Sequence, residues 1–228
     1  MGEAIDAIVF DKDGTLFDFQ ASWTEAMVRL LDRVAPGDPA AGEAIGFDPG
    51  TRAFRPGSVA IAGTAFEMAE ALHAVTGRDR RSLTDVIDEI ADETFMVPVV
   101  DLVSCLGILR QDRKLGLVTN DTEAPARAHL AQAGITGMFD FVAGYDSGFG
   151  AKPGPGQLLA FAEATGIAPE RTLMVGDSTA DLVAGQRARM RCVGVLTGVA
   201  GADHLAHLAE VVLPDIGHLA AWISEVGQ

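Results

Sequence analysis

Asp11 and Asp13 close an apolar run in the stretch IVFDKDGTLFD. Two carboxylates two residues apart, just past a buried strand, can hold different roles. Asp11 can ligate a metal and attack phosphorus, forming an aspartyl phosphate. Asp13 can keep its side chain off the metal and move protons, first to a leaving oxygen and then from an attacking water. Gly14 allows a sharp turn, and Thr15 can pin that turn with its hydroxyl. Three more polar sets follow apolar runs in the same way. They are Thr119-Asn120-Asp121, Lys152 in GAKPGP, and Gly176-Asp177 with Asp181 in GDSTAD.

Acids gathered around one point repel each other unless a cation joins them. Hard oxygen ligands with open positions suit Mg²⁺. A threonine hydroxyl, backbone N–H groups and an ammonium suit a phosphate. A carboxylate about 4 Å from a phosphate dianion meets about 8 kcal/mol of repulsion at an effective dielectric near 20. One Mg²⁺ and one lysine offset that. Lysine is scarce in this chain, with only Lys12, Lys114 and Lys152. Lys152 is therefore informative. Lys12 points away from its neighbours if the strand continues, and it reads as structural.

The elements that must position these groups are short and strongly patterned. Ile5 to Phe10, Leu115 to Thr119, Phe141 to Ala143, Thr172 to Val175 and Cys192 to Leu196 read as buried strands, with Val211 to Leu213 as an edge. Most are continuous apolar runs, as strands covered on both faces should be. Helical patterns lie between them: Thr122 to Ala133, Gly156 to Thr165, and Ala180 to Met190. The alternation predicts an α/β fold, a Rossmann-like three-layer core built on a parallel sheet. Ligands of such sheets bind beyond the carboxyl ends of the strands, where all four polar sets fall. Asp121 reads as the N-cap of the helix after the second set.

Residues 19–97 break the alternation and read as an inserted all-α cap domain over the strand ends. The core is then 1–18 and 98–228. Ser22-Trp23-Thr24-Glu25, Thr64-Ala65-Phe66-Glu67 and Ser82-Leu83-Thr84-Asp85 look like helix-opening capping boxes. FDPGTRAFRPGS (Phe47 to Ser58) reads as an exposed loop. Its arginines, Arg52 and Arg55, are solvated or reach down to an anionic part of a substrate. Trp23, Met27 and Leu30 recur at helical spacing, which suggests cap core or the cap–core seam. His129, His204, His207 and His218 read as surface or cap-distal residues.

Composition limits the partners. The chain has 228 residues, 48% apolar, enough for one large domain or two small ones. Its net charge is −15 with no basic block, which argues against nucleic acid. Cys105 and Cys192 lack CxxC spacing and read as reduced buried thiols. The opening MGEAIDAIVF has acids where a signal peptide needs bases, and no apolar run is long enough for a bilayer. The expectation is a soluble cytoplasmic protein acting on a small-molecule phosphate ester, away from membranes.

At this point the four motifs, Asp11-Lys12-Asp13-Gly14-Thr15, Thr119-Asn120, Lys152-Pro153 and Gly176-Asp177 with Asp181, resemble those of the haloacid dehalogenase superfamily, in its order. The insertion is similar to that family's helical cap, and the phosphoglycolate-phosphatase-like branch is the nearest in pattern. The resemblance implies Asp11 as nucleophile and Asp13 as acid/base. It implies Mg²⁺ held by Asp11, the Asp13 carbonyl and Asp177. It places Gly14, Thr119, the Asn120 backbone and Lys152 around the phosphate, with Thr15 and Asp181 in support. The twelfth residue from Asp11 is Ser22 rather than Glu, which removes an EF-hand. Asp13 and Asp177 argue against a dehalogenase. The lysine-free stretch from Gly14 to Arg113 argues against a Schiff-base phosphonatase. A Mg²⁺-dependent phosphatase leads, with a sugar phosphomutase and a non-catalytic phosphate sensor as alternatives.

Overall fold

The computed structural model describes residues 4–226. Strand β1 (Ala7–Phe10) is buried along its whole length. The chain then leaves the sheet for α1 (Phe19–Val34), α2 (Pro39–Ile45), a hairpin of β2 (Phe47–Asp48) and β3 (Ala53–Phe54), α3 (Val59–Ala62), α4 (Ala65–Thr76) and α5 (Arg80–Asp92). It returns through α6 (Leu102–Leu109) and alternates regularly: β4 (Lys114–Val118), α7 (Glu123–Gln132), β5 (Phe141–Ala143), α8 (Gly156–Thr165), β6 (Thr172–Gly176) and α9 (Thr179–Arg187). The last elements are β7 (Arg191–Val195), α10 (Ala202–Leu205), β8 (Val211–Leu213) and α11 (Leu219–Val226).

The six long-range strands form a parallel sheet in the order β5-β4-β1-β6-β7-β8. Successive β1 residues serve opposite faces, as the period of two requires. Ile8 and Phe10 pack with Leu106, Leu130 and Leu219 of α6, α7 and α11. Ala7 and Val9 pack with Leu158, Phe161 and Leu182 of α8 and α9. This is the three-layer arrangement. Strand β1 lies at its centre, with Phe10 level with both Leu117 of β4 and Val175 of β6. The chain winds outward on one side of β1 and then on the other. A crevice therefore opens at the carboxyl end of β1.

The helices between Phe19 and Asp92 bury a cluster of their own, centred on Met27, Leu30, Leu72, Leu83 and Ile87. The two crossings to the sheet run side by side. The Asp18 N–H donates to the Val97 carbonyl (2.8 Å), and the Val99 N–H donates to the Leu16 carbonyl (3.1 Å).

Several local expectations change here. The stretch read as an exposed loop holds the β2–β3 hairpin, so the insertion is not wholly helical. Phe47 and Phe54 are buried, and their rings lie 4.8 Å apart. Two residues per strand are too few to give a periodic signal. Of the three capping boxes, only Thr64 with Glu67 closes at both ends. Helix α1 starts at Asp18 instead, whose side chain accepts from the Ala21 N–H. Ser22 is buried one turn in and accepts from the Val97 N–H at 3.0 Å. Helix α5 likewise starts at Asp79. Both cysteines are free; Cys192 is buried and Cys105 only partly so. Among the described residues, no helix is long and apolar enough to cross a membrane.

Candidate active site

The four polar sets meet at the carboxyl end of β1. Asp11 follows the strand directly, its N–H held by the Val175 carbonyl at 2.9 Å. Lys152 arrives from the loop before α8. Its ammonium pairs with Asp11 and with Asp181 (2.6 Å) and also donates to the Val118 carbonyl (3.2 Å). Asp11, Asp177 and Asp181 are buried, and one carboxylate oxygen of each lies within 4.8 Å of the others. Asp181 also closes a capping box on α9, accepting from the Ser178 N–H (3.0 Å) and hydroxyl (2.6 Å). One side chain thus both caps α9, where a carboxylate complements the helix dipole, and pairs with Lys152.

Burial and the neighbouring Asp181 charge push the Asp11 carboxyl up to about 7, despite Lys152. Asp177 is raised for the same reasons, burial first, then Asp181 and Asp11. Burial opposes the charge of Lys152, but Asp11 and Asp181 outweigh it and its pKa rises. Three buried acids facing one ammonium carry more negative charge than it can balance once they ionise. That donor set fits a hard divalent cation.

The turn after Asp11 is closed by backbone. The Gly14 N–H donates to the Phe17 carbonyl (2.7 Å), and the Leu16 N–H to the Lys12 carbonyl (3.0 Å). Gly14 has φ +81°, and a Cβ there would meet the Asp177 carboxyl carbon at 2.5 Å. Both facts require glycine. Thr15 does not pin the turn, because its buried hydroxyl has no partner. Thr197 does so from the loop after β7, donating to the Gly14 carbonyl at 2.7 Å. Thr119 sits at the end of β4 and its hydroxyl accepts from the Asp121 N–H at 3.1 Å. The Asn120 side chain joins two loops: Oδ1 accepts from the Lys152 N–H (2.8 Å), and Nδ2 donates to the carbonyls of Ala62 (2.9 Å) and Lys152 (3.0 Å).

Asp13 is not one of the three clustered carboxylates. It accepts from the Trp23 indole N–H (2.6 Å) and pairs with Lys12 (3.0 Å). Lys12 is fully buried and reaches Asp121 (3.1 Å) and His129 Nδ1 (2.9 Å) as well. Burial works against its charge, but Asp13 and Asp121 raise its pKa overall. His129 is therefore no surface residue. Burial and the Lys12 charge lower its pKa, so it is neutral. An ammonium can only donate, so Nδ1 accepts and the proton sits on Nε2, 2.8 Å from the Ala91 carbonyl. Asp121 serves Lys12 and the Thr122 N–H rather than capping α7, whose N-cap is Thr122.

The haloacid dehalogenase-like hydrolase family model matches residues 5–189. The chain belongs to that family. Among curated relatives of this hydrolase, a phosphoglycolate phosphatase from Rhodospirillum rubrum is 29% identical over 95% of this chain and 90% of its own length. One from Pseudomonas putida is 31% identical over 84% of this chain and 69% of its own. The fold is that of a hydrolase from Pseudomonas syringae (TM-score 0.74, 23% identity, 97% and 98% of the two chains). It is shared too by an L-2-haloacid dehalogenase from Xanthobacter autotrophicus (TM-score 0.65, 22% identity, 96% and 98%).

One cavity of the hydrolase brings together Asp11, Asp13, Thr119, Asn120, Lys152, Asp177 and Asp181, with helices of the insertion as its roof. Arg52 and Arg55 are not among its walls. Arg52 pairs with Glu25 on the exterior, and Arg55 borders a separate surface depression beside the hairpin. Three participants carry no motif that sequence reasoning could detect: Trp23 on Asp13, Thr197 on Gly14, and His129 behind Lys12. Their partners lie 10, 183 and 117 residues away along the chain.

Proposed function

We propose that the protein is a Mg²⁺-dependent phosphatase of a small phosphate monoester, working through an aspartyl phosphate on Asp11. The observation that supports this most is the meeting of Asp11, Lys152 and Asp177 at the centre of the sheet. The names of the relatives point the same way. Asp11 attacks phosphorus and the bond to the leaving oxygen breaks. Asp13, as the acid, protonates that oxygen, then takes a proton from the water that attacks phosphorus and breaks the acyl phosphate bond to Asp11. Inorganic phosphate leaves, Asp11 is restored as a carboxylate and Asp13 as the acid that began the cycle. Lys152, Thr119 and the backbone at Asn120 and Gly14 hold the phosphoryl oxygens. Asp11, Asp177 and the Asp13 carbonyl would hold Mg²⁺, which neutralises charge between nucleophile and phosphate. Residues 19–97 serve as the cap domain over a core of 1–18 and 98–228. Phosphate release from p-nitrophenyl phosphate should require Mg²⁺ and fall by at least about 100-fold after EDTA treatment. No release with or without Mg²⁺ would leave the sensor reading.

Metal binding has a readout independent of turnover. Asp11 sits near 7 in the fold against 3.8 as a free side chain, and Asp177 is also raised. Below pH 4 both states hold these protons and no stability is lost. As pH climbs through the window up to about 7, the unfolded chain ionises first and the metal-free fold weakens. Mg²⁺ binds the ionised form. The rise in Tm on adding Mg²⁺ should therefore grow between pH 4.5 and 7.5. A rise independent of pH would remove Asp11 and Asp177 as ligands.

A further inference from the structure

The roof of the active-site cavity is apolar. Phe19, Met27, Leu30, Met68, Ile87 and Ile90 form it, with the Trp23 ring beside them. Lys152 is the one cation on the cavity wall among the described residues, and it belongs to the phosphate end. The arginines of the insertion are placed elsewhere. Arg33 pairs with Glu89 (2.6 Å), Arg52 with Glu25, and Arg78 donates to the carbonyls of Arg33 and Val34 (3.1 Å each). Two polar groups beside the roof are already engaged. The Trp23 N–H is on Asp13, and the Ala62 carbonyl is on Asn120.

The geometry points to a substrate whose leaving group is apolar: a phosphate ester of an alkyl or aryl alcohol, rather than one bearing a second anion or several hydroxyls. This rests on the phosphatase reading and narrows its substrate class. A carboxylate seated under this roof would lose its water without gaining a cation. A sugar would leave hydroxyls facing methyl and aromatic groups. An apolar chain meets neither cost, and each buried methylene contributes. The proposal departs from the substrate in the relatives' names. A pocket for phosphoglycolate would need a cation opposite the phosphate, and this cavity has none there.

The test measures kcat/KM of the wild-type enzyme with Mg²⁺ for ethyl, propyl, butyl and hexyl phosphate, p-nitrophenyl phosphate, glucose 6-phosphate and phosphoglycolate. The alkyl series should climb roughly fourfold per methylene until the chamber is full. Phosphoglycolate should fall about 100-fold below propyl phosphate, which has nearly its shape. Met68→Lys places a cation under the roof and should narrow that gap at least tenfold. Phosphoglycolate equal to or better than propyl phosphate overturns the apolar assignment, as does a flat alkyl series, while p-nitrophenyl phosphate turnover keeps the phosphatase reading alive. Phosphate released from none of the esters sinks both.

Discussion

Asp11→Asn should fold, bind Mg²⁺ poorly and release no measurable phosphate. An amide oxygen is a weak nucleophile and cannot form the aspartyl phosphate, so kcat should fall by about 10⁴-fold or more. The structure adds a second effect, of opposite sign. Asp11 is a buried acid whose ionisation is opposed by burial and then by Asp181. Asn keeps its shape and removes its charge. Lys152 retains Asp181 as a partner at 2.6 Å. The metal-free variant should therefore have a higher Tm than the metal-free wild type at pH 7.5, where Asp11 would be ionised. Strain held for catalysis is relieved when the catalyst is lost. Phosphate release at the wild-type rate would remove Asp11 as nucleophile. A lower Tm would mean that the Asp11–Lys152 attraction outweighs the crowding of the acids.

Lys12→Met should cost about 3–5 kcal/mol of stability at pH 8, measured by urea unfolding. Lys12 is fully buried and its ammonium serves Asp13, Asp121 and His129 at once. Methionine fills the space but leaves two carboxylates without their cation. His129 lies next to them and can supply a replacement charge. Its neutrality in the wild type comes from burial and then from Lys12. With Lys12 gone, one of the two causes holding its pKa down is lost while Asp13 and Asp121 still favour the imidazolium, so its pKa rises from the wild-type value and the charge it supplies fades as pH rises through the raised value. The cost of Lys12→Met should thus be smaller at pH 5.5 than at pH 8. Turnover should also drop by about 10–100-fold, because Asp13 keeps only the Trp23 N–H to orient it. A cost below 1 kcal/mol, or one that ignores pH, would mean that Lys12 is not the centre of this network.

The strands and the motif positions were legible in the sequence because a buried parallel strand leaves a plain trace. It is a continuous apolar run with polar residues where the chain emerges. Phe141–Ala143, Val211–Leu213 and Gly156–Thr165 match the structure residue for residue. Helix starts in the insertion were less legible. Ser-x-x-Glu spacing also occurs inside helices, and neither Ser22 nor Ser82 competes with an aspartate placed a few residues earlier. Thr64 with Glu67 was readable because a capping box satisfies itself locally.

What the chain alone determined is which side chains can meet. Carboxylates, a hydroxyl and an ammonium at successive strand ends share one edge of the sheet because parallel strands all point their carboxyl ends the same way. What only the tertiary structure decided is the company they keep. The sequence cannot say that Lys12 faces His129, that Trp23 donates to Asp13, that Arg52 turns outward, or that the roof is apolar. Those contacts join elements far apart in the chain. Their partners are set by which helix faces are buried together, and local pattern carries no record of that.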